Sequence, residues 1–270
     1  MSDRYEKYKR TFDIDYPAER VLRLTISTNK MNTLDESGHS DMAYIWRDID
    51  MDKDVSAVIL TGAGKTFSAG GDFDMEERMM SNPDKLPYAW KEARDLVYNV
   101  MDCGKPVISA INGVAVGAGL SAALLADISI VGKSARIIDG HTRLGVAAGD
   151  HSVICWPLLC GMARAKKLLL LCDTIMGEEA AEIGLVSMCV EDDKLQETAL
   201  TIANRLVAGP PNAIRFTKAM LNHWYKQMAP AFEASLAVEM LGFAGSESRE
   251  GLASFREKRD PKWDPSKCDI

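Results

Sequence analysis

The stretch DGHTRLGVAAGDHS, residues 139–152, holds two of the chain's four histidines, His141 and His151, and places Asp150 nine positions after His141. An imidazole with an unperturbed pKa of about 6.5 is a competent general base at neutral pH, and a nearby carboxylate orients its tautomer or holds the imidazolium that forms. Such a pair activates a water. In a second arrangement Asp150 itself attacks or shuttles protons while His141 positions the water. Two glycine-rich turns supply the complementary chemistry: Ser68-Ala69-Gly70-Gly71-Asp72 and Gly117-Ala118-Gly119. Small residues there let a ligand approach backbone N–H groups, and two converging N–H donors make an oxyanion hole.

The elements that must hold these groups alternate in type. VLRLTI (21–26), VSAVILTG (55–62), the start of PVISAINGVAVGAG (106–119), ISIVG (128–132) and ARIID (135–139) read as strands. Thr33, three positions before Glu36, has capping-box spacing and predicts a helix over about 35–50. LSAALLAD (120–127) reads as a small-residue helix, and 152–172 as helical segments interrupted at Pro157 and Gly161. From about 193 onward only helices are expected, separated by Gly209-Pro210-Pro211, Pro230 and Gly245-Ser246. The order of elements predicts an α/β fold.

Composition narrows the function classes. The 270 residues are 47% hydrophobic and 26% charged, as in an ordinary globular chain with a sizeable core. A net charge of −7 weighs against a polyanion binder, so no nucleic-acid partner is expected. The start, MSDRYEKYKR, is charged, and no run approaches the roughly 18 apolar residues of a membrane span, so a cytoplasmic protein is expected. Six cysteines (103, 155, 160, 172, 189 and 268) lack C-x-x-C spacing and are expected to be reduced and mostly core, with no metal site. His39 and His223 read as surface or packing residues.

Five stretches in order carry a family resemblance: TNKMNTLDE (28–36), VILTGAGKTFSAGGDFDME (58–76), KPVISAINGVAVGAGLSAALLADISI (105–130), EEAAEIGLVSMCV (178–190) and SREGLASFREKRDPKW (248–263). Over almost its whole length the chain resembles the crotonase (enoyl-CoA hydratase/isomerase) superfamily. The resemblance implies a spiral core of β-β-α units over 1–195 and a helical oligomerisation region over 196–270, assembled as a homotrimer or a dimer of trimers. It implies an acyl-CoA or related carbonyl substrate, with coenzyme A as part of the substrate and no permanently bound cofactor. The thioester enolate would be held by the N–H groups of Gly71 and Ala118. Lys30, Met31, Ala69, Asp72 and Phe73 would line the CoA path, and Phe255 and Lys258 would reach its nucleotide end.

The chain departs from the pattern where water is added. Hydratases of this superfamily use two glutamates, and the corresponding positions here hold Ser121 and His141. The two-carboxylate mechanism therefore does not carry over. Superfamily β-diketone hydrolases resemble this chain in a His at the later position and an Asp after the following turn, and related aryl-CoA dehalogenases place a nucleophilic Asp in that turn. The diketone hydrolases also use a glutamate from the C-terminal helices, to which Glu239 is the nearest match. His151 is open between facing away, capping a helix and taking part. Trp90 and Trp156 are open between pocket wall and core, and Ser121 between an oxyanion donor and a back-bond to a carbonyl. The leading expectation is hydratase/isomerase-like lyase chemistry with His141 and Asp150 in place of the glutamates. Hydrolysis of a carbon–carbon bond or of a thioester is the alternative, and a non-catalytic scaffold the third.

Overall fold

Ten strands build two sheets in the computed structural model, which describes residues 3–267. The strands are β1 (Phe12–Ala18), β2 (Val21–Ile26), β3 (Ala57–Gly62), β4 (Thr66–Ala69), β5 (Val107–Ile111), β6 (Val114–Val116), β7 (Ile128–Gly132), β8 (Arg136–Ile137), β9 (Ile175–Met176) and β10 (Met188–Val190). One sheet has the order β1-β2-β3-β5-β7-β10 and the other β4-β6-β8-β9. Within the first, β2, β3, β5, β7 and β10 run parallel, and β1 closes the edge antiparallel to β2. Strands β3 and β5 are buried along their whole length, which is why they read as apolar runs without alternation.

Three successive strand pairs, β3 with β4, β5 with β6 and β7 with β8, each give one strand to each sheet. A helix follows each pair: α2 (Phe73–Ser81) after β4, α4 (Gly117–Leu124) after β6 and α5 (His141–Leu144) after β8. That is the spiral of β-β-α units. The remaining helices are α1 (Glu36–Asp50), α3 (Leu86–Asp102), α6 (Ser152–Cys160), α7 (Met162–Leu171), α8 (Gly177–Glu182), α9 (Leu195–Val207), α10 (Pro211–Gln227), α11 (Ala229–Phe243) and α12 (Ser246–Glu257). On one face of the large sheet, Leu195, Ala199 and Ala203 of α9 pack on Ile59, Ile108 and Ile130. The other face meets the main core, built around Trp46, Phe67 and Trp156. Helix α11 packs on α3 and α6, and α12 on α2 and α5, so the C-terminal helices return to the β-β-α units.

Local chemistry corrects several expected boundaries. The cap of α1 is Asp35, whose Oδ1 accepts from the Gly38 N–H at 2.8 Å, because Thr33 Oγ1 is taken by Asn29 Nδ2 at 2.7 Å. Pro157 lies inside α6 without ending it, and the break falls at Gly161. Residues 117–119 are the first turn of α4 and not a loop before it. Trp156 is fully buried and Trp90 packs against the core, and neither faces the cavity described below. Of the cysteines, Cys103, Cys155 and Cys160 are buried and Cys172 and Cys189 half-buried, all unpaired, while Cys268 lies outside the described residues. Among the described residues no helix is long and apolar enough to cross a membrane. Helix α10 leaves Phe216, Met220, Leu221 and Trp224 exposed.

Candidate active site

Strands β4 and β6 pair in parallel with Ala69 opposite Val116, so Gly70-Gly71 and Gly117-Ala118 leave the same edge side by side. Gly70 has φ +88° and Gly117 φ +59°, and a Cβ on Gly117 would sit 2.9 Å from Gly70 Cα. Only glycine permits that backbone contact. The Gly71 bridge to Leu34 uses Gly70 C=O and the Asp72 N–H, which directs the Gly71 N–H away from it. Ala118 stands in the first turn of α4, where an N–H has no partner within the helix. Gly71 and Ala118 line one cavity, with the polarity an oxyanion requires.

On another wall of that cavity are His141, Asp150 and Glu239. His141 opens α5, and its Nδ1 lies 2.9 Å from Oδ1 of Asp139 at the end of the β8 segment. Asp139 is buried and accepts a second hydrogen bond from Ser152 Oγ. Its Oδ1 also accepts from the His141 backbone N–H at 3.2 Å, which fixes the turn. The carboxylate that orients the ring is therefore Asp139 and not Asp150. Asp150 lies on the other side of the ring, with Oδ1 3.4 Å from Nε2, and Glu239 Oε1 is 3.8 Å from the same nitrogen. Gly149 brings the loop onto α11, since a Cβ there would meet Ser235 O at 2.2 Å and Glu239 Cβ at 2.8 Å.

His151 is fully buried and lines neither side of the cavity, but its Nδ1 lies 2.5 Å from Asp150 Oδ1, so Asp150 is flanked by both imidazoles. One atom each of His141, Asp150 and Glu239 lie within 4.8 Å of one another, close enough to clamp a single water or a cation. Ser121 is buried and does not face the cavity.

The electrostatics follow from this crowding. Burial opposes a charge on His141, but Asp139, Asp150 and Glu239 outweigh it and raise its pKa well above the usual 6.5. Asp150 is held well below the ordinary carboxylate range: burial pushes it up, but His151 and His141 outweigh that. Asp139 is lowered for the same reason, with His141 as the main counterweight to burial. Glu239 is pushed well above its ordinary value by burial, only partly offset by His141. The wall thus favours the imidazolium of His141, ionised aspartates on either side of it and the protonated form of Glu239.

A further carboxyl, not singled out in the sequence, completes the cavity. Glu76 on α2 is pushed up to about 7, chiefly by burial, and its Oε2 is buried without a hydrogen-bond partner. A carboxyl raised from 4.5 to about 7 contributes stability below pH 4.5 that is lost as pH rises toward 7. Glu76→Gln is therefore expected to be more stable than the parent by about 1–3 kcal/mol at about pH 8 and to lose that advantage at about pH 4.5. Paired thermal melts at the two pH values check this.

Two chambers share Gly71, Glu76, Gly117, His141 and Leu144 as their common waist. The first, about 390 Å³, is walled by Met75, Met79, Tyr88, Met240 and Phe243. The second, about 360 Å³, takes in Ala69, Phe73, Arg136, Arg143 and Phe255. Phe73 and Phe255 stack with centroids 5.9 Å apart, and the Arg143 guanidinium lies 5.1 Å from the Phe255 ring. Asp72 caps α2 through the Asp74 and Met75 N–H groups. Met31 supports the glycine turn through its carbonyl, which accepts from Ala69 N–H at 3.1 Å. Lys30, Met31 and Lys258 face neither chamber, and all three are exposed at the surface. Arg136 and Arg143 were missed in the sequence because isolated arginines carry no spacing signal. His39, read as a surface or packing residue, stands at the rim of the first chamber, 3.5 Å from Glu92.

Comparison with known proteins agrees with this geometry. A sequence profile of the enoyl-CoA hydratase/isomerase family matches residues 18–266. The chain is 34% identical over 247 residues to a short-chain-enoyl-CoA hydratase of Clostridium acetobutylicum, covering 89% of this chain and 92% of that one. Among solved structures, an enoyl-CoA hydratase/isomerase from Mycobacterium paratuberculosis superposes with TM-score 0.85 at 27% identity, covering 90% and 98% of the two chains. A β-diketone hydrolase from the cyanobacterium Anabaena sp. PCC 7120, solved with (S)-3-oxocyclohexyl acetic acid, superposes with TM-score 0.83 at 26% identity, again covering 90% and 98%. The chain belongs to the enoyl-CoA hydratase/isomerase family, the crotonase superfamily, whose members act on CoA thioesters without a permanent cofactor.

Proposed function

We propose that this protein is an acyl-CoA enzyme in which Gly71 and Ala118 hold the thioester oxygen while His141 and Asp150 move protons at the acyl group or at a water. The observation that carries this reading is convergence: two free N–H donors and a His–Asp–Glu wall face one cavity from different elements. With the acyl group in the first chamber and pantetheine in the second, the thioester falls at their shared waist. Negative charge that develops on its oxygen is taken up by the two N–H groups. His141, held as the imidazolium by Asp139 and Asp150, gives a proton to the carbon that becomes nucleophilic and is recharged from solvent. Glu239, whose burial favours the protonated form, reaches the same point and orients a water there.

Lyase chemistry, water added across an enoyl double bond or its reversal, is the favoured reaction, in line with the 34% identity to a short-chain-enoyl-CoA hydratase. The hydrolytic reading is favoured by one observation: His141 and Asp150, in place of the two glutamates, stand together as the resemblance to β-diketone hydrolases implies, and such a hydrolase is a structural neighbour. Incubation with crotonyl-CoA, and separately with a cyclic diketone, in isotopically labelled water distinguishes the two. Label in a new hydroxyl of the thioester supports the lyase reading; label in a new carboxylate overturns it in favour of hydrolysis.

The Phe73–Phe255 stack is assigned to the CoA path. Phe255→Ala is expected to raise KM for the thioester about five- to tenfold with kcat unchanged, the effect of an aromatic contact worth about 1 kcal/mol. Steady-state kinetics against crotonyl-CoA measure it. The exposed apolar face of α10 is assigned to assembly as a homotrimer or dimer of trimers.

A further inference from the structure

In the scheme above His141 gives the proton and Asp150 works through the imidazole it holds, so the group that takes a proton from the substrate or its water is a further one. Asp150 is engaged by two imidazoles, with Oδ1 2.5 Å from His151 Nδ1 and 3.4 Å from His141 Nε2. Asp139 is taken up by His141 and Ser152 and does not face either chamber. Glu239 Oε1 lies 3.8 Å from the same His141 nitrogen, Nε2, and burial together with the two aspartates favours its protonated form. The remaining carboxyl on the cavity wall at its waist is Glu76.

Its position is specific. The first turn of α2 directs Glu76 back over the glycine turn, so that a Cβ on Gly71 would lie 3.0 Å from Glu76 Oε1. It lines both chambers, at the place where they join, and so does His141. Its Oε2 is buried without a partner, a costly arrangement unless a ligand supplies the hydrogen bond. We infer that Glu76 is the general base of this site, its carboxylate taking the proton that the substrate or its water gives up beside Gly71, while His141 gives one. This assignment rests on the acyl-CoA reading above.

The proton balance closes for each reaction considered. In hydration, Glu76 takes a proton from water as the oxygen bonds to the β-carbon; the double-bond electron pair moves onto the thioester as an enolate, and the α-carbon takes a proton from His141. In carbon–carbon hydrolysis, Glu76 takes the proton of the water that adds to a carbonyl, and His141 protonates the carbon that leaves with the bonding pair. In both cases Glu76 returns its proton to solvent and His141 regains one. The groups facing Glu76 are His141 on α5 and Arg256 on α12, which favour its ionised form, and Asp72 at the start of α2, which opposes it; burial is the largest influence. The outcome, a carboxyl that ionises at about 7, suits a base at neutral pH.

Phenylacetyl-CoA is the probe: its α-hydrogens are acidified by ring and thioester, no water addition competes, and, with no water to activate, Glu76 takes an α-proton as the enolate forms while His141 returns one to the same carbon. Binding is measured by calorimetry and α-hydrogen exchange in deuterium oxide by NMR. The parent protein is expected to bind and to exchange with a rate that rises with pH through about 7. Glu76→Gln is expected to bind as tightly, exchange about 100- to 1,000-fold more slowly and lack that pH limb. Glu76→Asp, which restores a carboxyl one methylene short, is expected to regain part of the rate and the limb. Parent protein that binds without exchange, E76Q that exchanges at the parent rate, or E76Q that retains the limb at about 7 overturns the assignment while leaving the acyl-CoA reading in place. Failure of the parent to bind any of crotonyl-, butanoyl- and phenylacetyl-CoA overturns both.

Discussion

His141→Ala is expected to lower kcat by about 100- to 10,000-fold, the range associated with loss of a positioned proton-transfer group, while CoA-thioester binding is retained. Stability should fall as well. Asp139 and Asp150 are both held below the ordinary carboxylate range, and His141, which stands between them, is a cause of that in each case. Removing one partner of a buried charge pair costs about 3–5 kcal/mol, because the remaining charge is left uncompensated. The cost is pH-dependent in a defined direction: carboxylates that lose their cation take up protons more readily, so the destabilisation is largest near neutrality and shrinks in mild acid. His141→Gln restores one hydrogen bond without a titratable proton and is expected to recover part of the stability and none of the turnover. Chemical denaturation at two pH values, read with steady-state rates, separates the two effects.

Gly117→Ala is expected to reduce kcat/KM by about 100- to 1,000-fold with the histidine wall untouched, as expected for displacement of one oxyanion donor. The reason is steric. Gly117 has φ +59°, and its missing Cβ would lie 2.9 Å from Gly70 Cα and 3.6 Å from Gly71 N. The new methyl group must push the two glycine turns apart, and those turns carry the Gly71 and Ala118 N–H groups. A non-glycine residue in that backbone conformation adds strain of about 1–3 kcal/mol. Gly64 is the control: it has φ +67° with open space where a Cβ would go, so Gly64→Ala carries the strain without the collision. The comparison of kcat/KM in the two variants isolates the collision at the oxyanion pair.

Much of the scaffold is legible in the sequence for identifiable reasons. Buried parallel strands such as β3 and β5 show as uninterrupted apolar runs, and glycines at Gly70, Gly71 and Gly117 mark the two turns. Strands β4, β6, β9 and β10, of two to four residues, are too short for alternation to register, and β4 and β6 bring the donors together. The proximity of His141 to Asp150 and Glu239 could be anticipated through the family resemblance alone, since Glu239 arrives from a helix far along the chain.

Asp139 and Glu76 went unrecognised for different reasons. Asp139 reads as the end of the strand segment ARIID, although an Asp two residues before a His on a turn is within reach of Nδ1, and that spacing was the available signal. Glu76 sits in MEERMM, where a Met-rich helix with adjacent acids looks like a variable wall. Its phase is nevertheless informative: it falls one turn after the helix cap Asp72 and three before Met79, on the face that carries the cavity. Lys30 and Lys258 illustrate the converse, long cationic side chains that remain at the surface away from both chambers.

The most direct test is the crystal structure of the protein with butanoyl-CoA, a saturated thioester to which water cannot add. The predicted complex has the thioester oxygen about 3 Å from the N–H groups of both Gly71 and Ala118, the acyl chain in the chamber walled by Met75 and Met79, and the α-carbon facing His141. A thioester seated away from the waist, or one whose oxygen points away from both N–H groups, would contradict the assignment of this cavity as the active site.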